Sequence, residues 1–148
     1  MRPEKGFTLI ELLIVVAIIG IIAAIAVPNL INAVDKGKQT KTMADMKAIA
    51  GAIEVYAVDN NTYPRVTSFT GLVQFLQPNY IKIAPTSDGW NHAWLFEGDT
   101  TGGLAYTLTS LGKDGVASLT NGGQTHDFDC DIVYSNGQFF QWPAGAQT

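Results

Sequence analysis

The chain has a single cysteine, Cys130, and this excludes a disulfide bond within its 148 residues. If the domain is exported, packing or a metal must stabilise it instead. The two histidines, His92 and His126, have no Cys or His nearby at the spacing that a zinc site requires. The sequence also lacks nucleophile-elbow, phosphate-loop and zinc-protease motifs, so we do not expect an enzyme.

Charged residues are scarce and unevenly distributed. They make up 15% of the chain with a net charge of −4, whereas nucleic-acid binding usually needs a basic patch, so no nucleic-acid partner is expected. From Asp88 onward one base, Lys113, stands among seven acids. These acids are Asp88, Glu97, Asp99, Asp114, Asp127, Asp129 and Asp131. An acidic end of this kind either repels itself or holds cations.

A long apolar run lies near the N-terminus. From Phe7 to Val27 every residue is apolar or small except Thr8 and Glu11. These twenty-one residues, at about 1.5 Å each, make roughly 30 Å of helix, which is the thickness of the hydrocarbon core of a bilayer. The run therefore predicts a transmembrane helix. A carboxylate within such a span costs about 2.5–3.5 kcal/mol on insertion scales, so Glu11 is a candidate functional residue.

The residues around this run carry a resemblance to a known signal. A short basic leader ends in Gly6, and Phe7-Thr8-Leu9-Ile10-Glu11 and apolar residues up to Pro28 follow it. This pattern resembles the class III signal of type IV pilins and of their secretion-system relatives, the pseudopilins. The resemblance implies that a prepilin peptidase cleaves between Gly6 and Phe7 and N-methylates Phe7. Glu11 then becomes the fifth mature residue and matches the family's assembly glutamate.

Two other interpretations of the N-terminus stay open at this point. In the first, Arg2 and Lys5 form the charged region of an ordinary secretory signal that is cleaved at Ala24-Ile25-Ala26. The apolar stretch is longer than the usual 7–15 residues, and Glu11 disfavours insertion. In the second, the run is a plain membrane anchor that tolerates Glu11 near the interface.

Two residues weaken the predicted helix. Pro28 lacks an N–H and clashes with the carbonyl of Ala24, so a kink is expected there, and Gly20 is a second weak point. The family resemblance implies that the segment from Gly20 to Pro28 can lose helical hydrogen bonds in an assembled filament. A gentle kink without mechanical meaning is the alternative.

The rest of the chain predicts an α+β fold. Apolar residues at helical spacing predict an amphipathic helix over 29–58, and residues 59–64 are typical of a helix end. Residues 72–76 suggest a short helical turn before Pro78. Alternating residues predict a small antiparallel sheet of three or four strands, on which the second half of the long N-terminal helix packs. The strands are expected at 92–97, 104–111, 129–134 and 138–142, the last two forming a hairpin across Ser135-Asn136-Gly137.

These patterns predict three segments of the chain and one orientation in the membrane. Residues 1–6 form a cleaved leader, 7–28 a transmembrane or filament-core helix, and 29–148 a periplasmic globular domain. Arg2 and Lys5 before the span favour a cytoplasmic N-terminus, although three lysines after it weaken that argument. The resemblance supports a single-pass protein of the bacterial inner membrane that later enters a periplasmic or surface filament.

The acidic end contains a candidate metal site. Asp127, Asp129 and Asp131 alternate, so on an extended strand they would share one side about 6.6 Å apart, and hard oxygen ligands suit calcium. An EF-hand is excluded, because Ile132 stands where glycine is required and Gln138 where the bidentate glutamate belongs. A solvated loop face without metal is the alternative.

The wider pattern resembles the C-terminal half of the major pseudopilin of type II secretion. It comprises Asp88 to Trp94, Tyr106 to Gly115, Gly122-Gly123 and Asp131-Ile132. The resemblance implies a calcium-binding loop with ligands from Asp114, Asp131 and the carbonyl of Leu111. The chain departs from that pattern: Gly89 replaces a proline, His92-Ala93 replaces a pair whose second residue is proline, and the acidic residue usual near the paired glycines is missing.

We therefore predict a structural subunit of a type II secretion pseudopilus, a helical homo-oligomer that helps to move proteins outward. A type IVa major pilin of a surface fibre and a non-polymerising, membrane-anchored periplasmic binding domain are the alternatives. The resemblance implies as partners the prepilin peptidase, an inner-membrane assembly platform, minor pilins or pseudopilins, and membrane lipid before assembly. We expect that, during assembly of the filament, Glu11 of an incoming subunit pairs with the amine of Phe7 of a neighbouring subunit. This pair would set the register between the two subunits.

Overall fold

The computed structural model describes residues 6–145 and residue 147. The predicted leader, residues 1–6, lies outside this part of the chain except for Gly6. The chain divides into two compact units, Met1–Val34 and Asp35–Thr148. One helix, α1, runs from Leu9 to Asn60 and contributes to both units.

The first unit carries the apolar half of α1. Among the described residues, α1 is the one helix that is long and apolar enough to cross a membrane, and its most apolar 18-residue window has a mean hydropathy of 3.1 with no residue buried. Pro28 lies inside the helix, which continues beyond it without a break in assignment. The side-chain amide of Asn29 donates to the carbonyl of Ile25 (3.1 Å), one turn earlier.

The second half of α1 buries one face in the second unit. Its buried residues recur at helical spacing, as the amphipathic pattern predicted. They are Asp35, Gln39, Thr42, Met46, Ile49, Ala50, Ala52 and Ile53. The apolar members pack with residues of the sheet, among them Trp94, Phe96, Tyr106 and Leu108, in one hydrophobic core. Burial of this apolar face, driven by the hydrophobic effect, packs the helix against the sheet.

A second helix, α2, spans Phe69–Leu76, and is longer than the turn predicted over 72–76. Its first turn was missed because the start signal is the N-cap residue Ser68, whose hydroxyl accepts a hydrogen bond from the N–H of Gly71. The helix ends before Gln77 and Pro78, as expected.

In the part of the chain that the structure describes, five strands form one sheet, where three or four were expected. They are β1 Leu95–Gly98, β2 Tyr106–Ser110, β3 Gly123–Thr125, β4 Ile132–Ser135 and β5 Gln138–Pro143. The order across the sheet is β1-β2-β4-β5-β3, and all neighbours are antiparallel except β3, which is parallel to β5. The predicted α+β class is confirmed. Strand β3 was not predicted, because it lies in a glycine-rich polar segment with no alternation of apolar residues.

The predicted hairpin between β4 and β5 is confirmed. Asn136 and Gly137 form its turn with φ angles of 47° and 87°, the left-handed values that a two-residue hairpin loop of this kind requires. The side-chain oxygen of Asn136 also accepts a hydrogen bond from the N–H of Tyr106 (2.9 Å). The turn is thereby attached to β2.

A carboxylate of α1 joins the helix to the sheet. Glu54 accepts hydrogen bonds from the hydroxyls of Tyr106 (2.9 Å) and Tyr63 (3.1 Å). Burial and the neighbouring Glu54 carboxylate raise the pKa of both phenols above the ordinary value of 10.0. Both tyrosines therefore stay protonated donors at neutral pH.

Candidate functional site

The N-terminal candidates lie at the start of α1. The N–H and the hydroxyl of Thr8 both donate to Glu11 Oε2, at 2.9 and 2.7 Å, and the N–H of Glu11 donates to the Thr8 hydroxyl (3.3 Å). This reciprocal arrangement is a capping box, which satisfies two otherwise unpaired N–H groups at the helix start. The signature Thr8-Leu9-Ile10-Glu11 was visible in the sequence, but this role for Glu11 was not predicted.

The apolar half of α1 presents its side chains to the outside in every direction. Leu9, Ile14, Ile19 and Ile25 are more than half exposed, and their neighbours are similar. Apart from its chain neighbours and the adjacent helix backbone, no atom of the described residues lies within 4 Å of the position that a Cβ of Gly20 would take. A helix that is apolar all round is stable only when a bilayer or other protein surrounds it.

Asp131 is one of two buried carboxylates, with Asp88, among the described residues of the acidic end. The residue is 2% exposed, and its Oδ2 accepts the N–H of Ser118 (3.1 Å), whose hydroxyl accepts the N–H of Asp131 (3.1 Å). Its Oδ1 is buried and has no hydrogen-bond partner among the described residues. Burial raises the pKa of this carboxyl, the Ser118 hydrogen bonds lower it, and the charge of Asp114 raises it further. The result is a net rise, so the hydrogen bonds with Ser118 do not fully compensate the burial of the ionised Asp131.

Asp114 lies on an exposed turn close enough to influence Asp131 electrostatically. Its Oδ1 accepts the N–H of Val116 (2.9 Å), and Gly115 in the same turn has a φ of 69°, which favours glycine. Two contacts of the neighbouring Lys113 attach this turn to the rest of the domain. Its N–H donates to the carbonyl of Phe128 (2.9 Å), and its ammonium lies 3.0 Å from a carboxylate oxygen of Asp35 on α1.

A second carboxylate, Asp88, organises the surrounding loops. Its Oδ1 accepts the N–H groups of Trp90 (3.0 Å) and His92 (2.8 Å), and its Oδ2 accepts the hydroxyl of Ser110 (2.7 Å). His92 Nδ1 in turn lies 2.9 Å from the carbonyl of Gly112. The two motifs singled out in the sequence, 88–94 and 106–115, are therefore brought together, with Asp88 and His92 positioning the turn that carries Asp114.

Asp127 and Asp129 do not share a strand with Asp131, contrary to prediction. Strand β4 begins only at Ile132, because Asp127 Oδ1 accepts the N–H of Asp129 (3.0 Å) and holds residues 128–129 in a turn. Within 6–145 and 147, no group of three or more His, Cys, Asp or Glu side chains is arranged to hold a metal ion. Two carboxylates, Asp114 and Asp131, remain as candidate ligands. The only sequence signal for the turn at residues 128–129 was the aspartates themselves, which are common in turns.

Cys130 is half-buried in the same turn. Burial raises the pKa of its thiol, and the charge of Asp127 raises it further. The thiolate, which is the reactive form, is therefore disfavoured.

Comparison with known proteins gives a family match for the N-terminal helix and a second one for the following domain. The family model for the prokaryotic N-terminal methylation motif matches residues 1–27, and the model for type II secretion system protein G matches residues 29–133. The chain belongs to the type II secretion protein G family. The type II secretion system core protein G of Pseudomonas aeruginosa is 37% identical over 86% of this chain and 94% of its own length. The Klebsiella pneumoniae protein of that name is 39% identical (78% and 89%), and the Vibrio cholerae protein 34% (78% and 86%).

Membership of the protein G family confirms the predicted resemblance to the major pseudopilin, and with it the prediction of a structural subunit of the pseudopilus. The methylation-motif match covers Gly6, Phe7 and Glu11, the three residues on which the N-terminal resemblance rested. It favours the pilin-like interpretation over an ordinary secretory signal.

Proposed function

We propose that this protein G polymerises through its N-terminal helix, after being held in the inner membrane as a single span with its N-terminus in the cytoplasm. The observation that carries the proposal is the apolar half of α1, which is exposed on all sides. Burying one Leu, Ile or Phe side chain is worth about 1.5–3 kcal/mol. First a bilayer and then the helices of other copies supply that burial.

Processing prepares the helix for assembly. Cleavage by a prepilin peptidase between Gly6 and Phe7 leaves an amine on Phe7, directly before the capping residue Thr8. The partners that act on the subunit are this peptidase, an assembly platform in the inner membrane, and other pseudopilins. The chain serves as a building unit and performs no catalysis itself.

Glu11 sets the register between subunits. Both hydrogen bonds from Thr8 go to Oε2. Oε1 is therefore the oxygen that accepts a hydrogen bond from the Phe7 ammonium of a neighbouring copy. In an apolar surrounding, each of these charges is costly when alone, and pairing offsets both costs. Such a pair contributes little net stability, but it excludes other registers, because each of them leaves two unpaired charges.

The acidic end fits a calcium ion, held by Asp114 and Asp131 with the backbone carbonyl of Leu111. The fit rests on Asp131: its Oδ1 is buried and has no hydrogen-bond partner in residues 6–145 and 147, and the negative charge of Asp114 repels its own. Calcium supplies positive charge to both carboxylates and takes six to eight oxygens, so backbone carbonyls must complete the shell. Asp127 and Asp129 are exposed beside the turn at 128–129 and contribute less.

The proposal is tested by imaging filaments assembled from the full-length mature chain at side-chain resolution. We expect the helices of residues 7–34 at the filament axis, with Glu11 beside Phe7 of another copy. A protein that stays a membrane-bound monomer when the other pseudopilins are present would support the non-polymerising binding domain instead. A filament whose axis excludes these helices would contradict the assembly mechanism.

A further inference from the structure

Strand β1 lies at one edge of the sheet, and a cavity of about 630 Å³ borders it between β1 and α2. Its apolar wall includes Phe69, Val73 and Trp94. A volume of this size falls within the range of ligand pockets. None of the roles assigned above involves this part of the molecule.

The backbone of Phe96 faces this open edge. The N–H of Asp99 bonds the carbonyl of Ala105, which continues the β1–β2 ladder, whereas the N–H of Gly98 bonds the carbonyl of Val66 on the other side. Because antiparallel partners alternate between hydrogen-bonded and non-bonded pairs, Leu95 and Glu97 bond β2. Phe96, like Gly98, therefore directs its N–H and C=O away from β2, at the edge where the cavity lies.

A smaller cavity of about 180 Å³ lies on the other face of the sheet, over β1, β2 and β4. Leu95 and Glu97 line both cavities, and Thr107, Thr120 and Val133 complete much of the smaller one. Along β1 the side chains alternate: Phe96 is buried in the core, whereas Leu95 and Glu97 point outward. An added strand would therefore meet the larger cavity on the face of Phe96, and the exposed side chains of Leu95 and Glu97 on the other face.

We propose that a short extended segment of another protein pairs with Phe96 at this edge, with an apolar side chain in the larger cavity and a basic one beside Glu97. A residue opposite Phe96 points to the same face of the sheet as Phe96, which is the face of the larger cavity. Its sequence neighbours point to the other face, where Glu97 is the one charged side chain among the described residues that line either cavity. Main-chain bonds give such a complex its affinity, and the larger cavity and Glu97 give it specificity.

The segment must be short. Val66 occupies the edge next to Gly98, and Thr86 borders the cavity beyond Trp94 at the other end. About three to five residues fit between these limits at 3.3 Å each. The partner chemistry is therefore a basic–apolar–basic stretch in extended conformation.

The test uses the full-length, ¹⁵N-labelled chain in detergent micelles and two capped pentapeptides. The first has the sequence threonine-lysine-leucine-lysine-threonine, and in the second glutamate replaces both lysines. The lysine peptide should shift the Phe96 amide resonance saturably and slow its hydrogen exchange. Glu97→Gln should weaken this binding about two- to fivefold, as expected for a solvent-exposed ion pair. The glutamate peptide should bind more weakly than the lysine peptide.

Thr70→Trp fills the larger cavity from the exposed side of α2 and should abolish the response. Thr40→Trp, an exposed helical threonine of α1, is the matched control and should leave it unchanged. Shifts of the cavity side chains without protection of Phe96 would overturn strand pairing. Protection of Phe96 in concentrated protein without peptide would assign the edge to a second copy of the chain and overturn the proposed partner.

Discussion

The ammonium of Lys113 lies 3.0 Å from Oδ2 of Asp35, and this ion pair joins the turn that carries Asp114 to helix α1. The contact is an ion pair without aligned hydrogen-bond geometry, since Oδ2 has no hydrogen-bond partner among the described residues. The indole N–H of Trp90 donates to Oδ1 of Asp35 (3.2 Å). The lone base of the acidic end thus compensates a buried acid of the helix.

The first prediction concerns the pH dependence of this pair. Burial raises the pKa of Asp35, but Lys113 and Trp90 lower it more, and the net result is a pKa below its ordinary value of 3.8. The pair therefore contributes stability that is complete above about pH 4 and is lost as the pH falls through the depressed pKa. Lys113→Met should lower the melting temperature of the protein at pH 7 and have a much smaller effect at pH 2–3, where Asp35 is largely protonated.

Thermal unfolding followed by tryptophan fluorescence at both pH values measures this difference. Lys41→Met is the matched control, because Lys41 pairs with Asp45 (3.1 Å) at an exposed position, where the pair is worth about 0–1 kcal/mol. An equal penalty for Lys113→Met at both pH values would show that the lysine acts through packing alone.

The second prediction concerns processing. Because Gly6 precedes the apolar run directly, the mature chain should begin at Phe7 and carry one N-methyl group. Intact-mass spectrometry of protein purified from membranes measures both features. A chain that begins after Ala26 would establish an ordinary secretory signal instead.

The third prediction concerns the charge of Glu11. Glu11→Gln keeps the size of the side chain and an oxygen for the Thr8 hydrogen bonds, but removes the partner of the Phe7 ammonium. Filament yield after shearing should fall at least tenfold, while the amount of subunit in the membrane stays the same, because the neutral helix inserts at lower cost. Asp59→Asn, an exposed acid near the other end of α1, is the control. Wild-type filament yield from Glu11→Gln would rule out the register mechanism.

The fourth prediction concerns calcium. An ion that binds only the folded state adds RT ln(1 + [L]/Kd), about 2.7 kcal/mol at one hundred times Kd, so the melting temperature should rise with calcium concentration. Asp131→Ala should abolish this rise, since it removes the buried Oδ1 that no described residue hydrogen-bonds. Asp129→Ala, in the exposed turn, should retain it. Superimposable melting curves in calcium and in chelator would mean that the acidic end is a solvated surface.

The sequence by itself determined the N-terminal half of this protein. An apolar run of this length with one carboxylate has few physical solutions, and the spacing of Gly6, Phe7 and Glu11 indicated the family. The amphipathic pattern likewise predicted which face of α1 is buried, and the Asn136-Gly137 turn predicted its hairpin, because these signals act over a few residues.

Only the tertiary structure decided how the acidic end is arranged. Alternation predicted a strand through Asp127, Asp129 and Asp131, yet a local side-chain hydrogen bond of Asp127 to the backbone formed a turn and left Asp131 alone in the interior. Strand β3 and the pairing of Lys113 with Asp35 depend on contacts between residues far apart in the chain. Such contacts leave no periodic pattern, because burial and charge compensation are properties of the folded surroundings rather than of neighbouring residues.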